Sequence, residues 1–237
     1  MAAGAPPPIP LRWHTQAAMP ALAAALADAV AAALRNALAS RDRATLALSG
    51  GTTPGPFLDA LATRTLDWAR VIVTLADERW VPVGHPRANA TLVRETLLQG
   101  PAAVARFVPL YVEAPTPEAG LVEVAAGIDA LPLPLDVVVL GMGEDGHIAS
   151  LFPGGDHLAA ALDPHTPARV LPMRAPAAGE PRITLTLPVL AAARSVFLLI
   201  TGEHKRAVLE RARDDASLPV HALLARVSAP VAVYWAP

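Results

Sequence analysis

The chain has 237 residues, of which 53% are hydrophobic and 17% charged, a composition typical of a globular protein with a well-buried core. Its formal net charge of -2 provides no basic field for a nucleic-acid backbone, so we expect no nucleic-acid partner and, for any anion, a small ligand held by a local cluster of cations and amides. The absence of cysteine excludes disulfides, thiolate metal sites and a cysteine nucleophile.

The N-terminal part of the chain predicts a short tail followed by one domain. Residues 1–10 are rich in proline and indicate a flexible tail, and residues 11–237 are predicted to form a single domain. The alanine-rich stretch that follows is interrupted by Asp28, Arg35 and Asn36, so it predicts a soluble helix at about Met19–Ala39 and no membrane association. No secretory signal is recognisable, and the cytoplasm is the expected location. The sequence leaves the oligomeric state open, with a monomer the simpler expectation.

Short apolar runs alternate with helical segments along the whole chain, which indicates an α/β fold built from βαβ units. The predicted strands are Thr45–Leu48, Val71–Leu75, a short one near Val108, Asp136–Leu140, Ile183–Leu187, Val196–Ile200 and Val231–Tyr234. Between them, helices are predicted at about Pro54–Leu61, Asn89–Leu97, Pro117–Ala130 and His204–Arg213. Proline clusters fall between these elements and mark loops.

A glycine pair flanked by hydroxyl side chains follows the first of these strands. Ser49, Gly50, Gly51, Thr52 and Thr53 precede Pro54, which suits a helix start. Glycines let the backbone approach an anion, hydroxyls can donate to it, and a helix N-terminus favours negative charge, so a phosphate site is reasonable. An ordinary strand-to-helix turn explains the segment equally well when it is taken alone, and neither nucleotide-binding glycine pattern is present.

Three charged residues, Asp77, Glu78 and Arg79, follow the predicted strand Val71–Leu75. A solvated turn is the simplest interpretation of such a run. However, the carboxyl ends of parallel strands meet at one edge of a sheet, so this segment and the glycine pair are expected to approach one crevice. The sequence leaves open whether Asp77 and Glu78 touch a ligand or only brace Arg79.

The run from Gly141 to Pro153 comes directly after the apolar strand Asp136–Leu140 and places Asp145 two residues before His147. An imidazole in such a position can accept a proton from water, and the carboxylate can orient it. Ser150 could complete a Ser-His-Asp arrangement, but no nucleophile-elbow pattern frames it. A metal site made from His147, Asp156 and His157 is disfavoured because the spacing matches no familiar ligand pattern, and we expect no metal.

Two further cations stand beside predicted strand ends. Arg182 leads into the strand Ile183–Leu187, and Lys205 follows Gly202 at a predicted helix start. Either side chain could simply be solvated, but a phosphate on the glycine turn would gain from a guanidinium and an ammonium.

Taken together, these motifs resemble the 6-phosphogluconolactonase family within the glucosamine-6-phosphate isomerase-like superfamily. They run in order through nearly the whole chain, and Gly-Glu-Asp-Gly-His-Ile-Ala-Ser-Leu-Phe-Pro at 143–153 is the most specific. The resemblance implies a three-layer, Rossmann-like, mostly parallel sheet with helices on both faces. It also implies hydrolysis of 6-phospho-D-glucono-1,5-lactone to 6-phospho-D-gluconate in the oxidative pentose phosphate pathway, without a cofactor.

The resemblance assigns roles to the motif residues and leaves two alternatives. It implies His147 as general base, Asp145 as its support, Arg79 as oxyanion or substrate contact, and a substrate site formed by Ser49, Gly50, Gly51, Thr52, Thr53, Asp77, Arg182 and Lys205. The related isomerase/deaminases carry a glutamate where this chain has Phe152 and a tyrosine where it has Arg79. A non-catalytic sugar-phosphate sensor is the second alternative, and the lack of a DNA-binding segment before Leu11 disfavours it.

Overall fold

The computed structural model describes residues 11–237, and the tail predicted for residues 1–10 lies outside them. The chain forms a central sheet of seven parallel strands and a small sheet of three antiparallel strands. The central strands are β1 (Leu11–Thr15), β2 (Ala44–Leu48), β3 (Val71–Leu75), β5 (Arg106–Phe107), β6 (Val137–Leu140), β9 (Ser195–Thr201) and β10 (Val231–Ala236). The small sheet contains β4 (Asp77–Arg79), β7 (Val170–Met173) and β8 (Arg182–Leu185).

Eight α-helices connect these strands within the described residues. They are α1 (Met19–Ser40), α2 (Gly55–Ala62), α3 (Asn89–Thr96), α4 (Pro117–Asp129), α5 (Leu158–Leu162), α6 (Leu187–Ala191), α7 (Glu203–Arg211) and α8 (Pro219–Leu224). Every residue of β2, β3 and β6 is buried, which requires that both faces of the central sheet are covered. The two layers of packing around the sheet form one continuous hydrophobic core.

The order of the central sheet creates a switch point between β2 and β6. The strands lie in the order β1-β10-β9-β6-β2-β3-β5, so the chain builds outward from β2 to β3 and β5, then crosses to the other side of β2 for β6. Open α/β sheets bind ligands at such a point, outside the carboxyl ends of the strands. The loops after β2 and β6 are therefore brought together at the place where the sequence motifs lie.

Helix α1 is long and apolar enough to cross a membrane by length and composition alone. In the fold, however, its apolar face from Leu22 to Leu34 is buried, and the helix contacts α2, β2, β6 and β10. A stripe of apolar residues on one side of a helix is what packing on a sheet requires. The helix is thus part of the protein core, as the interrupted alanine pattern predicts.

Several elements differ from the sequence expectation. The sequence did not predict three strands and three helices: β1, β4, β7, α5, α6 and α8. The strand predicted to continue to Leu187 ends at Leu185, because α6 begins at Leu187 with Pro188 in its first turn. Strand β8 also does not join the parallel sheet, because it pairs antiparallel with β4 and β7. The sequence of β4 is made of three charged residues, and β7 is only four residues long with Pro172 inside it, so neither segment is typical of a strand.

Candidate active site

A cavity of about 310 Å³ opens at the switch point of the central sheet. It is bounded by the loops after β2 and β6, by the small sheet and by the first turn of α7. With one exception, the substrate-binding and catalytic residues expected from the sequence line this cavity: Ser49, Gly50, Gly51, Thr52, Thr53, Asp77, Arg79, His147, Arg182 and Lys205. The exception is Asp145, which contacts the His147 ring but does not line the cavity. Five separate segments of the chain therefore meet at one place.

The glycine turn after β2 lies against the neighbouring strand. The Ser49 amide donates to the carbonyl of Val139 in β6 at 2.9 Å, which holds the turn beside the loop that carries His147. Gly51 has a φ of 102°, a backbone conformation that side chains with a Cβ rarely adopt. The Ser49 hydroxyl is buried and has no hydrogen-bond partner within residues 11–237.

Gly50 needs to be glycine for a reason that the sequence did not indicate. A Cβ at this position would lie 1.9 Å from Oδ1 of Asn89, the first residue of α3. The Asn89 side chain is almost fully buried, lines the cavity, and donates through Nδ2 to the carbonyl of Asp77 at 2.9 Å. The missing side chain at Gly50 therefore makes room for Asn89, in addition to any room it leaves for an anion.

His147 and Asp145 form a hydrogen-bonded pair. The distance from His147 Nδ1 to Asp145 Oδ1 is 2.6 Å, and the same carboxylate oxygen accepts the His147 amide at 3.2 Å. Because a carboxylate only accepts, this contact requires a proton on Nδ1, and in the neutral ring Nε2 then carries the lone pair. An imidazole held in this way in the wall of a cavity is able to accept a proton from a ligand or a water.

The loop around this pair has little room for side chains. A Cβ at Gly143 would lie 2.2 Å from His147 Nδ1 and 2.5 Å from Asp145 Oδ1. Ala149 has a φ of 48° and so occupies the left-handed region without being glycine. Such backbone strain is found where the surrounding structure holds a residue in place, and it occurs often at active sites.

Ser150 connects the histidine loop to the small sheet and does not reach the cavity. Its hydroxyl donates to Asp77 Oδ2 at 2.5 Å, its amide donates to Thr184 Oγ1 at 3.3 Å, and its side chain is fully buried. A nucleophile must be open to substrate, so this geometry gives no support to a Ser-His-Asp arrangement with Ser150. Nor do the described residues contain a group of three or more His, Cys, Asp or Glu that could hold a metal.

Phe152 forms an apolar wall beside the histidine. Its ring centroid lies 4.2 Å from that of His147, and the Arg182 guanidinium carbon lies 5.6 Å from the Phe152 centroid. The aromatic ring therefore contacts both the imidazole and a cation, and it brings no additional acid or base into the site.

Strand alternation separates the three charged residues of β4. Asp77 and Arg79 line the cavity, whereas Glu78 between them does not. Opposite residues in the ladder between β4 and β8 include Arg79 and Arg182, so both arginines lie on the same side of the small sheet. The Glu78 carboxylate accepts the Arg79 amide at 2.7 Å and thus braces this residue, as one of the two sequence interpretations proposed.

The two arginines are held by main-chain carbonyls. Arg79 donates to the Arg87 carbonyl and Arg182 to the Ala178 carbonyl, each at 2.6 Å. Both Nε atoms are buried without a partner among the described residues, and they remain as donors. Burial lowers the pKa of Arg182, the charge of Asp77 opposes this shift, and the nearby Arg79 adds to it.

The cavity is electropositive. Arg79, Arg182 and Lys205 face it together with one carboxylate, that of Asp77. Lys205 lies in the first turn of α7, whose N-terminus adds partial positive charge. Such a surrounding suits a small anionic ligand.

The chain matches a known protein family over most of its length. The sequence profile of the glucosamine-6-phosphate isomerases/6-phosphogluconolactonase family matches residues 17–235. The chain belongs to this family.

Members of this family are similar to the chain over nearly its full length. A 6-phosphogluconolactonase of Rhizobium meliloti is 51% identical over 220 residues, which cover 92% of this chain and 95% of the relative. A 6-phosphogluconolactonase of Pseudomonas aeruginosa is 48% identical and covers 82% of each chain. The crystal structure of a 6-phosphogluconolactonase from Shewanella baltica superimposes with a TM-score of 0.92 at 37% identity, covering 96% of this chain and 98% of that one. The predicted family and the predicted α/β fold are thus confirmed.

Two residues of this family member's site were not found from the sequence. Asn89 was recognised only as the start of a helix, and Phe152 only as a difference from the isomerase/deaminases. Asn89 gives no local signal, because its role depends on Gly50 and Asp77 in distant segments. Phe152 could have been found from its place in the histidine loop, since side chains in a turn of this kind tend to pack on each other.

Proposed function

We propose that the protein hydrolyses 6-phospho-D-glucono-1,5-lactone to 6-phospho-D-gluconate, and that His147 activates the water. The observation that carries this proposal is the His147–Asp145 pair at 2.6 Å on the wall of an electropositive cavity, in a chain 51% identical to a 6-phosphogluconolactonase. A lactone needs an activated water and help for the oxyanion that develops, and the site offers a base and cations for these tasks.

In the proposed reaction, His147 Nε2 takes a proton from water as its oxygen attacks the lactone carbonyl. Asp145 holds the ring through Nδ1 and favours the imidazolium that forms. Arg79 is assigned to the carbonyl oxygen, where its positive charge opposes the developing negative charge. The bond between the carbonyl carbon and the ring oxygen then breaks, and the proton on the imidazolium passes to the ring oxygen, which leaves as a hydroxyl group.

The phosphate is assigned to the glycine turn and two cations. Gly50, Gly51 and Thr52 offer main-chain amides at the start of α2, with Ser49 and Thr53 hydroxyls beside them, and Arg182 and Lys205 supply charge. Binding energy from this remote group positions the lactone against His147. We assign the enzyme to the cytoplasm, with a monomer as the simplest active form.

The isomerase/deaminase alternative finds less support in the geometry. Phe152 packs on the His147 ring at the position where those enzymes have a glutamate, so the extra acid that ring opening of an amino sugar needs is absent from that place. A non-catalytic sensor would not need the base arrangement of His147 with Asp145.

The test is the hydrolysis rate of freshly generated 6-phosphogluconolactone, coupled to 6-phosphogluconate dehydrogenase, above the spontaneous rate. We expect His147→Ala to lose about 10²- to 10⁴-fold in kcat, the usual contribution of a positioned base. A folded His147→Ala variant with full activity would remove this assignment. If the wild type releases ammonia from glucosamine 6-phosphate and does not hydrolyse the lactone, the deaminase reading replaces ours.

The division of roles between the two arginines has its own test. Arg182→Ala is expected mainly to raise KM, because it removes a phosphate contact, and Arg79→Ala mainly to lower kcat, because it removes an oxyanion contact. The two residues are opposite each other in the ladder between β4 and β8. If Arg79→Ala mainly raised KM and Arg182→Ala mainly lowered kcat, Arg79 would be the phosphate contact and Arg182 the oxyanion contact.

A further inference from the structure

Glu78 is a buried acid that the proposed reaction does not use. It is the central residue of β4, its side chain is fully buried, and it does not line the active-site cavity. Its carboxylate accepts three main-chain amides: Arg79 and Asn89 donate to Oε1, each at 2.7 Å, and Ala90 donates to Oε2 at 2.8 Å. Within residues 11–237 it forms no salt bridge.

The three donors lie at the two ends of one loop. Residue 79 is where the chain leaves β4, and Asn89 and Ala90 are the first two residues of α3. A second contact closes the same loop, since the Arg79 guanidinium donates to the Arg87 carbonyl at 2.6 Å. Both ends of the loop carry side chains that line the cavity, Arg79 and Asn89.

We propose that Glu78 is a positioning residue, whose ionised carboxylate closes the loop of residues 79–90 and thereby sets Arg79 and Asn89 in the cavity wall. This inference deepens the proposed function and rests on it. Through Asn89 the effect extends to the glycine turn, because Asn89 Oδ1 fills the space that a side chain at Gly50 would need.

Only the ionised carboxylate matches this set of partners. Two carboxylate oxygens can accept all three amides, and amides at the start of a helix favour a negative charge. A protonated carboxyl would bring an O–H, and a glutamine an NH₂, into a group made only of donors. The loop ends would then lose an acceptor and separate.

The protein keeps this charge although burial opposes it. Burial raises the pKa of Glu78 to about 6, the three amides work against this shift, and the negative charge of Asp77 adds to it. Burying a charged acid without an ion pair costs free energy of folding, and groups that are kept in spite of such a cost are common at functional sites. The titratable and charged side chains around it are Asp77 and Arg79 on its own strand, Arg182 on β8, and Arg94 and Tyr111, which line a second cavity with it.

This second cavity has a volume of about 90 Å³, and its wall is largely apolar apart from Glu78, Thr91, Arg94 and Tyr111. A water in it has these polar side chains as hydrogen-bond partners, so the buried acid can exchange its proton there.

The first experiment follows the amide resonances of Arg79, Asn89 and Ala90 against pH by NMR, together with those of Glu78→Gln. In the wild type we expect the three amides to titrate with one shared midpoint near the Glu78 pKa of about 6, and this titration to disappear in Glu78→Gln. Glu123→Gln, the same change at an exposed position on α4, is expected to keep it. Amides that do not titrate together, or that titrate unchanged in Glu78→Gln, would overturn the proposal.

The second experiment measures hydrolysis at pH 7. Glu78→Gln is expected to lose about 10²-fold in kcat/KM, the usual effect of a catalytic group misplaced by about 1 Å, while Glu123→Gln keeps wild-type kinetics. If Glu78→Gln does not fold, Glu78→Asp replaces it, because its carboxylate is one methylene too short to reach both loop ends and a similar loss is expected.

Wild-type kinetics in a folded Glu78 variant would refute the positioning role. Failure of the proposed function has a different signature: the wild type would then not hydrolyse the lactone, while the shared amide titration would remain.

Discussion

The fit of Gly143 against His147 and Asp145 gives a sharp prediction. Replacing Gly143 by alanine would place a Cβ 2.2 Å from Nδ1 and 2.3 Å from Cε1 of His147, and 2.5 Å from Oδ1 of Asp145. Non-bonded carbon contacts have their optimum at about 3.5 Å or more, so the imidazole must move by roughly 1 Å. The Nδ1–Oδ1 hydrogen bond of 2.6 Å would then be stretched beyond hydrogen-bonding distance.

The expected loss follows from this displacement. A reacting group displaced by about 1 Å costs about 10²-fold in rate, which corresponds to about 2.7 kcal/mol of transition-state stabilisation. Because the phosphate is assigned to the glycine turn and not to this loop, we expect the loss in kcat and little change in KM.

The assay is the coupled lactone hydrolysis, with Gly127→Ala as the matched control. A Cβ at Gly127 in α4 would meet Val108 Cγ1 at 3.5 Å, an ordinary contact, so this variant is expected to keep wild-type activity. A Gly143→Ala variant within twofold of the wild-type kcat would refute the reasoning, as would an equal loss in both variants.

Two further predictions concern Gly50 and Glu78. Gly50→Ala is expected to raise KM about tenfold or more by displacing Asn89. The double variant Gly50→Ala/Asn89→Gly is expected to recover part of the lost substrate affinity, because neighbouring residues that share a contact do not act additively. A double variant with a higher KM than Gly50→Ala would show that Gly50 serves the ligand alone. As the pH rises from 4 to 7, the free energy of unfolding of the wild type is expected to fall by about 2 kcal/mol relative to that of Glu78→Gln. The sign follows because the pKa of Glu78 is raised from 4.5 to about 6, so the folded state holds the proton more tightly and loses that advantage above its pKa. Denaturant titrations at several pH values measure this difference, and a flat or rising difference would contradict it.

The central sheet and the place of the site could be predicted from the sequence because both depend on local patterns. Strands such as Val71–Leu75 and Val137–Leu140 are continuous apolar runs, which buried parallel strands require. The motifs directly after such strands must emerge at one edge of the sheet. Gly50, Asp77 and His147 each follow such a strand, so their placement in one cavity could be predicted from the sequence.

The small sheet and the internal supports of the site could not be predicted in this way. The three charged residues of β4 are typical of a solvated turn. If the segment is treated as a strand, the alternation of side chains predicts that Glu78 lies on the opposite face from Asp77 and Arg79. The contact of Gly50 with Asn89 joins segments that are far apart in sequence. Such contacts depend on tertiary packing, and no local pattern encodes them.

The position of β1 bears on how the chain is made. In the central sheet, the first described strand, Leu11–Thr15, pairs with no strand except β10, Val231–Ala236, which lies between it and β9. A ribosome delivers β1 long before β10, so β1 has no partner in the sheet until Val231–Ala236 has left the ribosome. Until β10 has been made, this edge of the sheet stays incomplete, and the apolar face of α1 lacks the part of its cover that β10 provides.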